Sequence, residues 1–294
     1  MLVSVSHQVL ARAGHESIAA ALADLRLASL EVVTDRSLAL PSLDGAAPPA
    51  TAGTQAAVSR AYRANLYRLR ARLSALAVTW DTMSAADQDA TSWLTECLSS
   101  VEALGAPVVG LAVASPEGGA DRPDAVWPLV AARLEQGLAQ TRPSRVAIAL
   151  EFGPDLLPGP GLHPSLAPLF ESERVGLTLD PGALYRAGLP RPVIYHLVRE
   201  LAPLARRVLC RSFSPAGGDA DSEDGSSAGN VEPCPLQVGV IDYAHIACLL
   251  GRVGYAGAIT VVNAPPDDMQ PSMARRWLAA DVDFLRDLLG ETRA

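Results

Sequence analysis

Two carboxylates stand in stretches of this sequence that are otherwise apolar. Glu151 lies in "VAIALEFGPD" and Asp180 in "VGLTLDPGALYRAGLP". An apolar strand should not hold an unpaired charge. A buried strand that ends in an acid and then turns at Pro181 and Gly182 delivers one carboxylate to a pocket, where it meets either a cation or an arginine. Asp180 also has a structural alternative, because a carboxylate before Pro-Gly can hydrogen-bond the backbone of its own turn.

The elements that must position these residues follow from the hydrophobic pattern. Eight short apolar runs read as strands: residues 2 to 6, 28 to 33, 73 to 80, 107 to 114, 145 to 152, 174 to 180, 207 to 213 and 257 to 263. Near-continuous apolar runs of this length suit parallel strands covered on both faces. Helical stretches separate them at 15 to 26, 56 to 72, 90 to 104, 124 to 140, 164 to 172, 191 to 205 and 242 to 252, with a last one at 272 to 290. Strict alternation predicts an α/β fold, a (β/α)8 barrel forming a single domain over residues 1 to 294. A doubly wound open sheet would want a Gly-rich phosphate turn after its first strand, and "SVSHQVLARAG" offers none. Residues 40 to 55 and 214 to 233, rich in small residues and poor in apolar ones, read as flexible insertions within that domain.

Composition narrows the function classes. The 294-residue chain has 49% hydrophobic and 19% charged residues, which predicts a folded protein. A formal net charge of -8, with no basic stripe, disfavours a nucleic-acid partner. There is no basic and apolar leader in "MLVSVSHQVL" and no run long enough to span a membrane, so the expected address is cytoplasmic, without a membrane partner. The four cysteines form no C-x-x-C pair. All 24 Lys+Arg residues are arginine, which excludes Schiff-base chemistry on lysine and a Walker lysine.

In a parallel barrel the C-terminal strand ends converge on one face. The residues expected there are His7, Trp80, Asp81, Ser115, Glu117, Glu151, Asp180, Arg211, Val262 and Asn263. His7 could face the pocket or pack at its rim, and Trp80 could stack on a sugar or pack the barrel top. His163 falls in a Pro/Gly loop, and His196 and His245 fall inside helical stretches, where surface or packing roles are expected.

The succession "VAIALEFGPD", "VGLTLDPGALYRAGLP" and "LQVGVIDYAHIACLLGRVGYAGAITVV" resembles the sugar phosphate isomerase/epimerase family, the xylose isomerase-like TIM barrels. The resemblance covers the whole chain in element order, with recognisable motifs from about 145 to 263. It implies a divalent metal, Mn, Mg, Co or Zn, held by carboxylates and histidine at the ends of strands 5 to 8. Glu151 and Asp180 then match the first two ligands, and Glu151 also acts as catalytic acid/base on a small carbohydrate or polyol. Three residues beyond Asp180, where the family has a histidine, stands Ala183; Arg211 occupies the strand-7 histidine position; Val262, followed by Asn263, stands at the strand-8 glutamate. What remains is a half site that would hold an ion weakly, because arginine cannot coordinate and repels a cation.

Three readings of Arg211 stay open: a salt bridge with Glu151 or Asp180 that replaces the metal's charge, an anchor for an anionic substrate, and a bystander to a metal site built from other ligands. Substrate-binding candidates are therefore Arg211, His7, Trp80 and Asn263. Two functions compete: a divergent sugar isomerase/epimerase working by proton abstraction next to a carbonyl, metal-dependent or metal-poor, and a catalytically degenerate barrel with a binding or structural role. The phosphodiester-cleaving branch of the same barrels, resembling apurinic endonucleases, is disfavoured by five scattered histidines and a pI near 5.1. The oligomeric state stays open.

Overall fold

A computed structural model describes residues 1–45, 54–80, 90–113, 123–141, 144–152, 164–215 and 231–291. Eight parallel strands close into a barrel: β1 (Leu2–Ser6), β2 (Ser29–Thr34), β3 (Arg72–Trp80), β4 (Val108–Val113), β5 (Ala147–Phe152), β6 (Val175–Leu179), β7 (Ala205–Cys210) and, after the outer pair β8 (Phe213–Pro215) and β9 (Val231–Pro233), β10 (Ala258–Val261). β1 pairs with both β2 and β10, so no edge is left open. The chain is a (β/α)8 TIM barrel. Its outer layer includes α2 (Ile18–Asp24), α3 (Gln55–Arg68), α4 (Ala90–Leu104), α5 (Pro123–Gln140), α8 (Arg191–Leu201), α9 (Tyr243–Arg252) and α10 (Pro271–Leu289).

The strands read from the apolar runs are all present, displaced by no more than three residues at an end. Their outward residues, among them Leu30, Leu76, Leu111 and Ile148, are fully buried under the helices. Short helices start where strands end. α1 (His7–Arg12) follows β1 directly, and α7 (Pro181–Arg186) follows β6 after Asp180 alone. The sequence pattern shows neither, because six residues are too few to display a helical period. The stretch expected as a helix at 164 to 172 holds only one turn, α6 (Ala167–Phe170).

The insertion expected at 214 to 233 begins and ends in order. β8 (Phe213–Pro215) pairs antiparallel with β9 (Val231–Pro233) at the C-terminal face of the barrel. Residues 216–230 within it, and 46–53 within the other insertion, lie outside the described residues. No helix among the described residues is long and apolar enough to cross a membrane.

Inside the barrel the wall residues are small where one arginine must fit. At Gly110 an added Cβ would lie 2.8 Å from Arg207 Nη1. Glycine there, with Ala77 and Ala112 beside it, leaves room for a guanidinium on the barrel axis.

Candidate functional site

At the C-terminal mouth of the barrel lies a cavity of about 760 Å3, bounded by residues of β1, β2, β3, β4, β5, β7 and the segment after β10. Its floor is a three-strand ion cluster. Arg207 donates from Nε to Glu31 Oε2 at 2.8 Å and from Nη2 to Glu31 Oε1 at 2.7 Å, a bidentate pair. Its remaining nitrogen, Nη1, donates to Glu151 Oε2 at 2.7 Å. Glu31 is 0% exposed and Arg207 5%, whereas the Glu151 side chain is 30% exposed and faces the cavity. Burial lowers the pKa of Arg207, but the two carboxylates more than offset it and hold the guanidinium charged.

A second pair lies beside the first. Arg211 Nη2 is 2.7 Å from Asp180 Oδ2, so an arginine meets Asp180. It is a close ion pair, and Arg211 Nε beside it is buried without a hydrogen-bond partner. The other Asp180 oxygen caps α7, accepting from Ala183 N at 2.8 Å, which is the local turn role open to a carboxylate before Pro-Gly. Burial pushes the Asp180 carboxyl up and Arg211 opposes it. Tyr243 fixes the backbone at Arg211 from both sides, its hydroxyl accepting from Arg211 N at 2.9 Å and donating to Arg211 O at 2.6 Å. Gly182 allows this approach, since a Cβ there would collide with the Arg211 carbonyl.

His7 lines the cavity from the start of α1. Its Nδ1 accepts from Val33 N at 3.1 Å, so the neutral ring carries its proton on Nε2. Burial lowers its pKa, with Glu31 opposing. Nε2 makes no hydrogen bond among the described residues. It is a neutral donor at the wall of the cavity.

Asn263 borders the same cavity but is 1% exposed, and its amide is engaged. Oδ1 accepts from Ser212 N at 3.1 Å, while Nδ2 donates to Cys234 O at 2.9 Å and Asp281 Oδ2 at 2.7 Å. No amide proton is left for a substrate, so the geometry gives Asn263 the part of a brace between β10, β9 and α10. Val262 stands at the wall as an apolar residue. Trp80 ends β3, and its side chain lies outside the described residues, as do Asp81, Ser115, Glu117 and His163. His196 and His245 are exposed on α8 and α9.

Glu31 and Arg207 were not anticipated as site residues. The signal was present: each is a charge within an apolar strand, "SLEVVT" and "ARRVLC", by the same rule that singled out Glu151.

The solved structures most informative for this arrangement are distant in sequence. A xylose isomerase-like TIM barrel protein from Mycobacterium smegmatis in complex with magnesium is 16% identical over 93% of this chain and 87% of that one, with a TM-score of 0.63. The IolI protein with a zinc atom is 13% identical over 99% of each chain, with a TM-score of 0.67. A sugar phosphate isomerase/epimerase from Parabacteroides distasonis is 9% identical over 97% of this chain and 93% of that one, with a TM-score of 0.63. The chain has the xylose isomerase-like barrel fold. No family model and no curated protein matches the sequence.

Two of these barrels carry a metal, and the donor set among the described residues does not fit one. Glu151 is bonded to Arg207 and Asp180 to Arg211, so a divalent cation between the two acids would face two fixed guanidiniums. Among the described residues no group of three or more His, Cys, Asp or Glu side chains could hold a metal ion. The half site expected at Glu151 and Asp180 is thus two ion pairs in which arginine stands where a cation would.

Proposed function

We propose that this chain is a metal-independent counterpart of the sugar isomerases and epimerases, acting on a small carbohydrate or polyol by proton abstraction next to a carbonyl. The observation that carries the reading is the setting of Glu151. One oxygen is anchored on Arg207, and the carboxylate opens onto a cavity of about 760 Å3, large enough to admit a small carbohydrate. In the proposed step Glu151 takes the proton from the carbon beside the carbonyl, and the electron pair moves onto the carbonyl oxygen. The guanidiniums of Arg207 and Arg211 supply positive charge near the enediolate, and neutral His7 Nε2–H donates to one of its oxygens. Return of the proton to the former carbonyl carbon, as the proton of the adjacent hydroxyl passes to the original carbonyl oxygen, gives the isomer, and return to the same carbon from the other side would require a second acid. Glu31 is the only other carboxylate on the described cavity wall, and it is sealed by Arg207. Isomerisation by a single base is therefore favoured over epimerisation.

The lack of a second free acid on the described wall also supports the alternative, a barrel that binds carbohydrate without turning it over. The test is hydrogen exchange. Native protein stripped with a chelator is incubated in D2O with a panel of aldoses, ketoses and their acids, and loss of the proton next to the carbonyl is followed by NMR. Exchange that survives the chelator and disappears in Glu151→Gln supports catalysis; binding without exchange in any of the panel supports the alternative.

A further inference from the structure

The described wall of the cavity is rich in arginine. The chain carries a formal net charge of -8, yet among the described residues the cavity is bordered by Arg12, Arg186, Arg207 and Arg211, with Glu31 and Glu151 as its acids. Three of the arginines are engaged: Arg207 by both glutamates, Arg211 by Asp180, and Arg12 loosely by Asp267 at 3.6 Å on the outer surface. Arg186, at the end of α7, has no carboxylate partner among the described residues. It is held instead by a ring. Its guanidinium carbon lies 5.7 Å from the centroid of Phe213, a buried residue of the same cavity wall. Stacking on an aromatic face orients a guanidinium without neutralising it. Beside it Arg211 keeps Nε buried without a hydrogen-bond partner.

Building on the carbohydrate reading above, we infer that Arg186, braced on Phe213, is a carboxylate receptor and that the ligand of this cavity is a sugar acid. The shape of the guanidinium selects the anion: its planar fork matches the two oxygens of a carboxylate. A phosphate monoester would bring about -1.5 to -2 charges at neutral pH against the single charge of Arg186. Seated this way, the carboxylate lies at the rim and the hydroxyl-bearing chain runs inward toward His7 and Glu151.

Titration calorimetry of the full chain with D-gluconate, D-glucose and D-glucose 6-phosphate tests this. Gluconate is expected to bind about tenfold or more tighter than glucose and tighter than the phosphate ester, and to weaken in about 0.5 M NaCl. Arg186→Gln is expected to reduce the ratio of gluconate to glucose affinity to within about twofold, with the thermal midpoint of the unliganded protein reporting that the fold is kept. Equal affinity for gluconate and glucose, tighter binding of the phosphate ester, or an unchanged ratio in Arg186→Gln would overturn the carboxylate site while leaving the carbohydrate reading in place. Failure of all three ligands to bind would remove both.

Discussion

The ion cluster under the cavity makes a quantitative demand on stability. Glu31→Gln keeps the shape of the side chain and removes its charge from a position that is 0% exposed. The amide oxygen can accept one of the two Arg207 bonds, but the amide nitrogen then faces the other guanidinium N–H, and Arg207, itself 5% exposed, retains only Glu151. Breaking a buried pair by removing one partner costs about 3–5 kcal/mol. Because Glu151 still neutralises part of the charge, the lower end, about 3 kcal/mol, is expected. With an unfolding entropy of about 2.1 cal/mol/K per residue, the 294 residues give about 0.6 kcal/mol/K, so the midpoint should fall by about 5 °C. Urea unfolding and scanning calorimetry at pH 7 read both quantities. The double substitution Glu31→Leu with Arg207→Met should recover most of the loss, since apolar residues of similar volume replace a buried pair at little cost. A loss below about 1 kcal/mol in Glu31→Gln would refute the reasoning, because water must then reach the guanidinium and the charge held under the cavity is not fixed by the barrel.

Three further outcomes follow from the same geometry. Burial raises the Asp281 carboxyl from 3.8 to about 6, against hydrogen bonds from Leu236 N, Asn263 and Trp277. The folded chain thus binds this proton more tightly than the unfolded one, so the contribution of Asp281 to stability is highest below about pH 4 and falls as the pH rises to about 6. Asp281→Asn should gain on the native protein by up to about 3 kcal/mol across that window in urea unfolding, and a difference independent of pH would contradict it. Arg211→His releases Asp180 and sets a third ligand type beside it and Glu151, so manganese or zinc should raise the thermal midpoint of this variant more than that of the native protein; equal response would mean that the two acids do not share a coordination sphere. Nitrogen NMR of the His7 ring at pH 7 should show a bare Nδ1 and a protonated Nε2, and the opposite tautomer would remove His7 as a donor to substrate.

The barrel was legible because each of its strands is a bounded apolar run, and local pattern suffices for that. Glu151 and Asp180 were legible as lone charges at strand ends, and Arg211 as an arginine able to pair with one of them. Which arginine reaches which acid was not, because it depends on barrel closure. Glu31, Glu151 and Arg207 lie on β2, β5 and β7, none adjacent to another, so no local or neighbouring-strand rule joins them. Arg207 and Arg211 are four residues apart on one segment, yet the first, within β7, points across the barrel to Glu31 and Glu151, while the second, just past the end of β7, meets Asp180. Asn263 reads as a mouth residue from its strand end, but its amide is taken by Asp281 on α10 and by the Cys234 carbonyl, contacts that follow only from how β9 and α10 pack around β10. One constraint does not depend on register. Buried charges must be compensated, and the apolar strands hold three acids, Glu31, Glu151 and Asp180, with Arg207 and Arg211 as the cations at hand. Two arginines serving three acids leave one carboxylate incompletely paired, and the cavity lies beside the one with the most exposure, Glu151. Electroneutrality alone thus points to the acid that is free to act, even where the sequence does not say which arginine holds it.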